Sequence, residues 1–152
     1  MSITKTKTHK RPPVPLVHEF VEFIPDELAE RTLYVSISFA SAAHLCVCGC
    51  GTKVVTPISP TGWEMLFDGD TISLRPSIGN WGFRCRSHYW IARNQAIWAG
   101  PMTQEEIDKG RRRDRALTQS YFGGFGAEQE QQPAPQPVRK KKRRLRDWFG
   151  SR

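Results

Sequence analysis

The sequence predicts a mainly β, antiparallel domain with one or two short α-helices and disordered termini. Three observations support this fold class. Short runs of β-branched and aromatic residues alternate with turn residues through the middle of the chain. One segment near residue 103 has the pattern of a helix start. Both ends lack apolar periodicity and are rich in basic residues.

Composition divides the 152-residue chain into four segments. Residues 1–15 are predicted to be a disordered basic lead-in, and residues 16–115 a β-rich domain long enough to bury a core. Residues 116–138 are predicted to be a flexible linker because they include a stretch rich in Gly, Gln and Pro. Residues 139–152 form a basic tail that ends near Trp148 and Phe149.

Individual elements follow from local patterns. The predicted strands cover residues 16–24, 32–39, 44–47, 53–56, 63–67, 71–74, 81–84, 89–92 and 96–98. The Asp-Gly pair at residues 68–69 favours a hairpin. Residues 103–106 have the form of a capping box, which predicts a helix to about Leu117, and residues 26–31 are compatible with a short helical turn.

The net charge of +8 is unevenly distributed. Residues 16–108 carry six Lys/Arg against eleven Asp/Glu, whereas residues 109–152 carry thirteen Lys/Arg against four Asp/Glu. The domain therefore lacks the basic stripe of a nucleic-acid module, while the tail would attract polyanions without sequence specificity. The chain begins with no apolar signal core and has no apolar run suited to a membrane span, so a cytoplasmic protein is expected.

Four cysteines and one histidine suggest a metal site. The donors are Cys46, Cys48, Cys50, Cys85 and His88. Clustered cysteines in a cytosolic setting favour metal over disulfides, and zinc takes four such ligands in a tetrahedron. His44 would be a sixth donor, and which four of the five or six bind is left open. A closed tetrahedron leaves no position for water, so the zinc is predicted to be structural and to hold the domain together. Ser87, beside His88, is predicted to donate a hydrogen bond to a zinc ligand.

A second candidate site surrounds Ser77. The flanking Pro76 and Gly79 predict a sharp bend that would expose the Ser77 hydroxyl as a nucleophile. His44, which the zinc does not require, is the candidate general base. Asp68 or Asp70 would orient it, and Asn80 would offer an amide donor to an oxyanion. The alternative is that Ser77 is an ordinary turn residue and His44 a half-buried structural histidine.

Several motifs together resemble a bacterial family named as a domain of unknown function. They are FVEFIP at 20–25, LYVS at 33–36, HLCVCGCG at 44–51, VTP at 55–57, TISLRPSIGNW at 71–81 and CRSHYWI at 85–91. The resemblance covers residues 17–110. Members are typically encoded beside ubiquitin-like modifiers and their activating and conjugating enzymes. The resemblance implies a zinc-binding component of a ubiquitin-like conjugation pathway, with the cysteine block, Cys85 and His88 as zinc site and the Ser77 turn with His44 as reactive centre.

Three functions are compatible with these observations. The favoured one is a serine-type peptidase that processes the ubiquitin-like protein or removes it from conjugates. The second is a non-catalytic zinc adaptor that binds the modifier or its conjugating enzyme. The third is a nucleic-acid accessory protein that acts through the basic tails.

Overall fold

The computed structural model describes residues 11–126, and their side chains through residue 123. The strands are β1 (Val14–Pro15), β2 (Val17–Phe20), β3 (Thr32–Ser36), β4 (Ser41–Leu45), β5 (Lys53–Pro57), β6 (Glu64–Phe67), β7 (Ile72–Gly79), β8 (His88–Ala92) and β9 (Gln95–Trp98). One helix, α1 (Gln104–Gly126), follows them. The predicted lead-in through residue 10, the linker beyond residue 126 and the basic tail lie outside the described residues.

The strands form two sheets. Five strands pair in the order β1-β9-β8-β7-β6, and four pair in the order β2-β3-β4-β5. The mainly β prediction is confirmed, although one pairing differs from the antiparallel expectation. β2 and β3 run parallel, with Val17 opposite Thr32. The intervening residues 21–31 form a connection long enough to carry the chain back to the same end of the sheet.

A single hydrophobic core joins the two sheets. Leu33 and Val35 of β3 are fully buried and share this core with Ile72, Leu74 and Tyr89 of the other sheet. In β5, buried residues alternate with exposed ones, as expected for a strand with one face on the core.

The helix begins where the sequence predicts but runs further. Thr103 and Glu106 form the predicted capping box: Glu106 Oε2 accepts from the Thr103 amide at 2.8 Å, and Thr103 Oγ1 accepts from the Glu106 amide at 3.3 Å. Residues 116–126 of the predicted linker continue this helix, and residues 26–31 contain no helix. In the described part of the chain, no helix combines the length and apolarity needed to cross a membrane.

Two local differences place the candidate site. β7 continues through Pro76 to Gly79, where the sequence predicts a bend, and residues 81–84 form a turn instead of a strand. A register irregularity between Leu74 and Ile78 interrupts the pairing of β7 with β8. Proline has no amide to donate to a ladder, so it is tolerated at such an irregularity. Ser77 therefore lies on an irregular, extended strand.

Candidate functional site

Four cysteine sulfurs lie close together between two loops. Cys46, Cys48 and Cys50 lie on the loop between β4 and β5, and Cys85 lies on the turn before β8. Their Sγ atoms all fall within 4.8 Å of one another. The Cys46 amide donates to Thr52 O at 2.8 Å, which closes the first loop.

Glycines make this tight loop possible. Gly49 and Gly51 adopt φ angles of 88° and 76°, a left-handed conformation that costs little only for glycine. The loop can therefore reverse within a few residues and turn three alternate sulfurs toward a common centre.

The sulfur geometry suits a tetrahedral metal ion. Zinc binds thiolate at about 2.3 Å, so four thiolates at tetrahedral angles are separated by about 3.8 Å. Cys46 Sγ lies 3.4 Å from Cys48 Sγ and 3.8 Å from Cys85 Sγ, which is itself 3.8 Å from Cys50 Sγ. These four residues fit zinc in a closed, structural site, and His88 does not belong to the group.

Ser87 and Asn80 support the cluster from its buried side. The Ser87 hydroxyl lies 3.0 Å from Cys46 Sγ and 3.5 Å from Cys85 Sγ, in the position predicted for a donor to the metal ligands. Asn80 Nδ2 donates to Ser87 Oγ at 2.9 Å and to the Tyr89 hydroxyl at 3.3 Å. Asn80 was predicted to stabilise an oxyanion, but its amide is bonded within this buried network.

The thiols of the cluster differ in acidity. Burial raises the pKa of Cys48 to about 12. Hydrogen bonding from the Thr52 hydroxyl and amide lowers the pKa of the exposed Cys50 to about 6. Because a metal binds the thiolate form, acid competes with the metal for these sulfurs.

Ser77 and His88 form the second cluster. The Ser77 hydroxyl lies 3.0 Å from Nε2 of His88, and Nδ1 of His88 lies 2.8 Å from the carbonyl oxygen of Gly100. Both side chains are half-buried. The carbonyl can only accept a hydrogen bond, so Nδ1 carries the ring proton. In the neutral ring, Nε2 is then the acceptor that faces the Ser77 hydroxyl. This tautomer is the one that a serine nucleophile requires of its base.

Trp81 covers this pair. Its ring centroid lies 4.9 Å from that of His88. The ring also occupies the space beside Gly79, where a Cβ atom would come within 2.7 Å of Trp81 Cε2. Gly79 is the register partner of His88, so its missing side chain leaves the room that the indole fills.

The other predicted members of this site lie elsewhere. His44 is fully buried, and its Nε2 lies 2.8 Å from the Tyr89 hydroxyl, so the histidine bonded to Ser77 is His88 and not His44. Burial lowers the pKa of His44 to about 4. Asp68 accepts hydrogen bonds from the Asp70 and Thr71 amides within its own hairpin, and these hold its pKa at about 2. Asp68 is thus engaged in a turn, and no described contact joins Asp70 to either histidine.

Strand alternation explains why His88 is not part of the sulfur cluster. Ser87 and Tyr89 are buried, whereas His88 and Trp90 are more exposed, as alternate residues of a strand point to opposite faces. His88 therefore turns away from Cys46 and Cys85 even though its Cys-x-x-His spacing is typical of metal ligands. The pairing of Gly79 with His88 instead makes Ser77, two residues from Gly79, a diagonal neighbour of His88.

Comparison with known families assigns the sequence to a described group. A family model described as "Bacterial ubiquitination-like system serine protease (BubE)" matches residues 20–99. The chain belongs to the BubE family. Searches of curated proteins and of solved structures gave no significant match.

The BubE match spans both clusters. The matched residues include all four cysteines, Ser77 and His88. Among the serines that the structure describes, Ser77 is the one with a described hydrogen bond to a histidine ring nitrogen. Within the matched residues, a half-buried serine hydroxyl therefore lies next to a histidine ring nitrogen.

Clefts open on both sides of the pair. The cleft on the Ser77 side has a volume of about 360 Å³ and is walled partly by Glu106, Ile107 and Asp114 of α1. The cleft on the His88 side has a volume of about 710 Å³ and is lined by Trp81, Trp98 and Gly100. Trp81 and Met102 line both clefts, so the two spaces share a boundary at these side chains.

Proposed function

We propose that this protein is a serine peptidase of a bacterial ubiquitin-like pathway, which cleaves at the C terminus of the ubiquitin-like protein to mature it or to release it from conjugates. The observation that carries the proposal is the 3.0 Å contact between Ser77 Oγ and His88 Nε2. Membership of the BubE family supports the reaction class. Ser77 is assigned as nucleophile and His88 as general base, in place of His44.

The proposed reaction has two steps. Ser77 Oγ attacks the scissile carbonyl carbon and passes its proton to His88 Nε2. His88 then gives that proton to the leaving amine as the C–N bond breaks, which leaves an ester on Ser77. Water attacks the ester, His88 takes a water proton and returns it to Ser77 Oγ, and the carboxylic acid product leaves.

Gly100 has the orienting role in this mechanism. Its carbonyl oxygen holds the proton of His88 on Nδ1 and fixes the ring plane. In many serine proteases a carboxylate does this and also stabilises the imidazolium. A backbone carbonyl carries only a partial charge. The proposed centre is therefore a dyad of Ser77 and His88, oriented by the uncharged carbonyl group of Gly100.

The four cysteines are proposed to hold zinc as a structural ion. The ion would link the β4–β5 loop to the turn that precedes His88, and its four sulfur ligands would leave no position for water. It therefore has no place in the proposed steps. Its contribution is to keep His88 at the start of β8 in the position that Ser77 requires.

A cleavage assay tests the proposal. The substrate is the ubiquitin-like protein of the same system with a C-terminal extension, and wild type is compared with Ser77→Ala and Ser73→Ala. Ser73 is the matched control because it lies on the same strand and its hydroxyl accepts from the Arg93 amide. We expect Ser77→Ala to lower kcat by at least about 10³-fold and Ser73→Ala to retain activity. Absence of cleavage by a folded, metal-loaded wild type would contradict the proposal.

The non-catalytic adaptor is the second candidate. Two exposed aromatic clusters favour it: His18, Phe20 and Phe67 contact one another at one place, and Phe23 packs against Phe39 at another. Exposed aromatic groups of this kind are common at protein interfaces. If the assay shows no cleavage, binding of the uncleaved modifier would support the adaptor. The nucleic-acid hypothesis rests on tails outside the described residues and has no support from the domain.

A further inference from the structure

The cleft on the His88 side carries an unusual pair of arginines. Arg11 lies just before β1, with its Cζ 4.9 Å from the centroid of the Trp98 ring. Arg86 lies on the turn before β8, with its Cζ 5.8 Å from the centroid of the Trp81 ring. Both distances are within the range of cation–π contacts, which hold a guanidinium group in place without neutralising its charge.

The two guanidinium groups meet no carboxylate among the described residues of the cleft, although Cys85 of the proposed metal site also lines it. Of the residues that the structure describes, neither aspartate nor glutamate lines this space, and the one described ion pair, Arg113 with Asp114, lies on α1. The other ionisable side chains of the cleft are His88 and Cys85. The adjoining cleft on the Ser77 side differs, because Glu106 and Asp114 face it together with Arg111. The two clefts therefore differ in charge as well as in position.

The chemistry of the proposed reaction decides which part of the substrate enters the positive cleft. The base that accepts the serine proton must afterwards protonate the leaving amine, so the leaving segment lies on the side of the histidine. Here that side is the cleft lined by Arg11, Arg86, Trp81 and Trp98. The guanidinium fork binds a carboxylate through two parallel hydrogen bonds.

We propose that Arg11 and Arg86 form a carboxylate-binding subsite for the segment released on cleavage, so that the enzyme prefers substrates with a carboxylate close after the scissile bond. The inference rests on the proposed peptidase function. The carboxylate can be the terminal group of a short tail or an acidic side chain of a longer one, and both present the same chemistry to the arginines.

Three versions of one substrate separate these sources. The ubiquitin-like protein is made with an uncharged tail of about three residues, with an uncharged tail of about twelve residues, and with the longer tail carrying Asp at its second position. The short tail places its terminal carboxylate near the cleft, whereas the long uncharged tail places it far from the cleft. The long tail with Asp returns a carboxylate to the cleft as a side chain. Each is assayed by kcat/KM.

We expect wild type to cleave at least one carboxylate-bearing substrate about tenfold faster than the long uncharged one. If only the short-tailed substrate is cleaved faster, the arginines bind the terminal carboxylate. If only the Asp-bearing substrate is cleaved faster, they bind the side-chain carboxylate. In the double variant Arg11→Gln/Arg86→Gln, the ratio between tails should fall to about one. Arg84→Gln is the control, because Arg84 is an exposed arginine of the same turn that does not line the cleft.

If the double variant is inactive, a variant with a reversed charge at Arg86 still tests the subsite. Arg86→Glu should cleave a long tail with Lys at the second position faster than one with Asp. Equal cleavage of all tails by wild type, or a preference that survives in both variants, overturns the subsite while the peptidase function stands. Failure of wild type to cleave any of the three overturns the peptidase function and the subsite with it.

Discussion

Gly79 is the residue that allows Trp81 to lie against His88. Its φ is outside the left-handed region, so the need for glycine here is steric and not conformational. A Cβ at this position would lie 2.7 Å from Trp81 Cε2 and 3.1 Å from Trp81 Cδ1, closer than a packed structure accepts.

Gly79→Ala is therefore expected to displace the Trp81 ring and disturb His88. A displacement of about 1 Å at a catalytic group can cost about 100-fold in rate, so kcat should fall by up to that factor while the domain stays folded. Gly82→Ala is the matched control, since a Cβ there meets no atom within 4 Å. Equal activity of the two variants in the cleavage assay would show that Trp81 does not position the pair.

Tyr89 connects the two sheets through polar contacts. Its hydroxyl lies 2.8 Å from His44 Nε2 and accepts from Asn80 Nδ2 at 3.3 Å. Tyr89→Phe removes a partner from both buried groups, which should destabilise the domain by about 1–3 kcal/mol in denaturant unfolding. Tyr34→Phe should cost less, because Tyr34 makes one long hydrogen bond, from the Ala29 amide at 3.4 Å. A larger effect at Tyr34 would argue against this network.

At the residue level, residue type and spacing pick out the clustered side chains but not the contacts between them. The four cysteines, Ser87 and Ser77 were all singled out by type and spacing, and the structure groups the cysteines with Ser87. The sequence predicts His44 beside Ser77 and His88 among the sulfurs, whereas the structure places His88 beside Ser77 and His44 beside Tyr89. A Cys-x-x-His spacing does not show which face of a strand the histidine occupies. The register of β7 against β8, which pairs Gly79 with His88, makes Ser77 a diagonal neighbour of His88.

At the level of elements, α1 forms one wall of the Ser77 cleft and has a single buried side chain among those described. Ile107 is 3% exposed, whereas the other described side chains of the helix are half-buried or exposed. The helix therefore depends on its first turns for attachment, and most of its length makes no contribution to the core.

Ile107→Ala is expected to loosen α1 without unfolding the sheets. Burying an isoleucine is worth about 2–5 kcal/mol over alanine in a core, so the helix amides should exchange with deuterium faster while those of β3 and β8 stay protected. Leu117→Ala provides the control, because Leu117 is 52% exposed. Unchanged helix protection in Ile107→Ala would mean that another contact anchors α1.

The elements show where local sequence patterns suffice. The β6–β7 hairpin and the capping box were predicted correctly, because each depends on side chains within a few residues. β7 was predicted too short, because Pro76 and Gly79 favour a bend locally, whereas the paired strands β6 and β8 keep the segment extended. The parallel pairing of β2 with β3 depends on a distant contact that no local pattern reveals.

For the molecule as a whole, the sulfur cluster lies beside the hydrophobic core, which includes Cys46. Two loops meet there, and a zinc ion bound by four thiolates contributes on the order of 10 kcal/mol of apparent folding free energy in small domains at neutral pH. Cys85 lies on the turn that joins the strands carrying Ser77 and His88, so loss of a bound metal should lower the stability and the activity together.

Metal analysis of purified variants separates the two clusters. We expect wild type and His88→Gln to bind about one zinc ion per chain, because the four sulfurs complete a tetrahedron without His88. Cys85→Ser should lose the metal and unfold at lower temperature. Loss of zinc from His88→Gln would place His88 among the ligands and would remove it from the role of base.

His88 is proposed to activate Ser77, and labelling with a fluorophosphonate probe measures that activation. An activated serine displaces fluoride from such a probe and forms an O–P bond that peptide mapping by mass spectrometry locates. Wild type and His44→Gln should be labelled on Ser77, whereas Ser77→Ala and a folded, metal-loaded His88→Gln should not. Labelling of a different serine, or labelling of Ser77 that persists in His88→Gln and disappears in His44→Gln, would contradict the activation of Ser77 by His88.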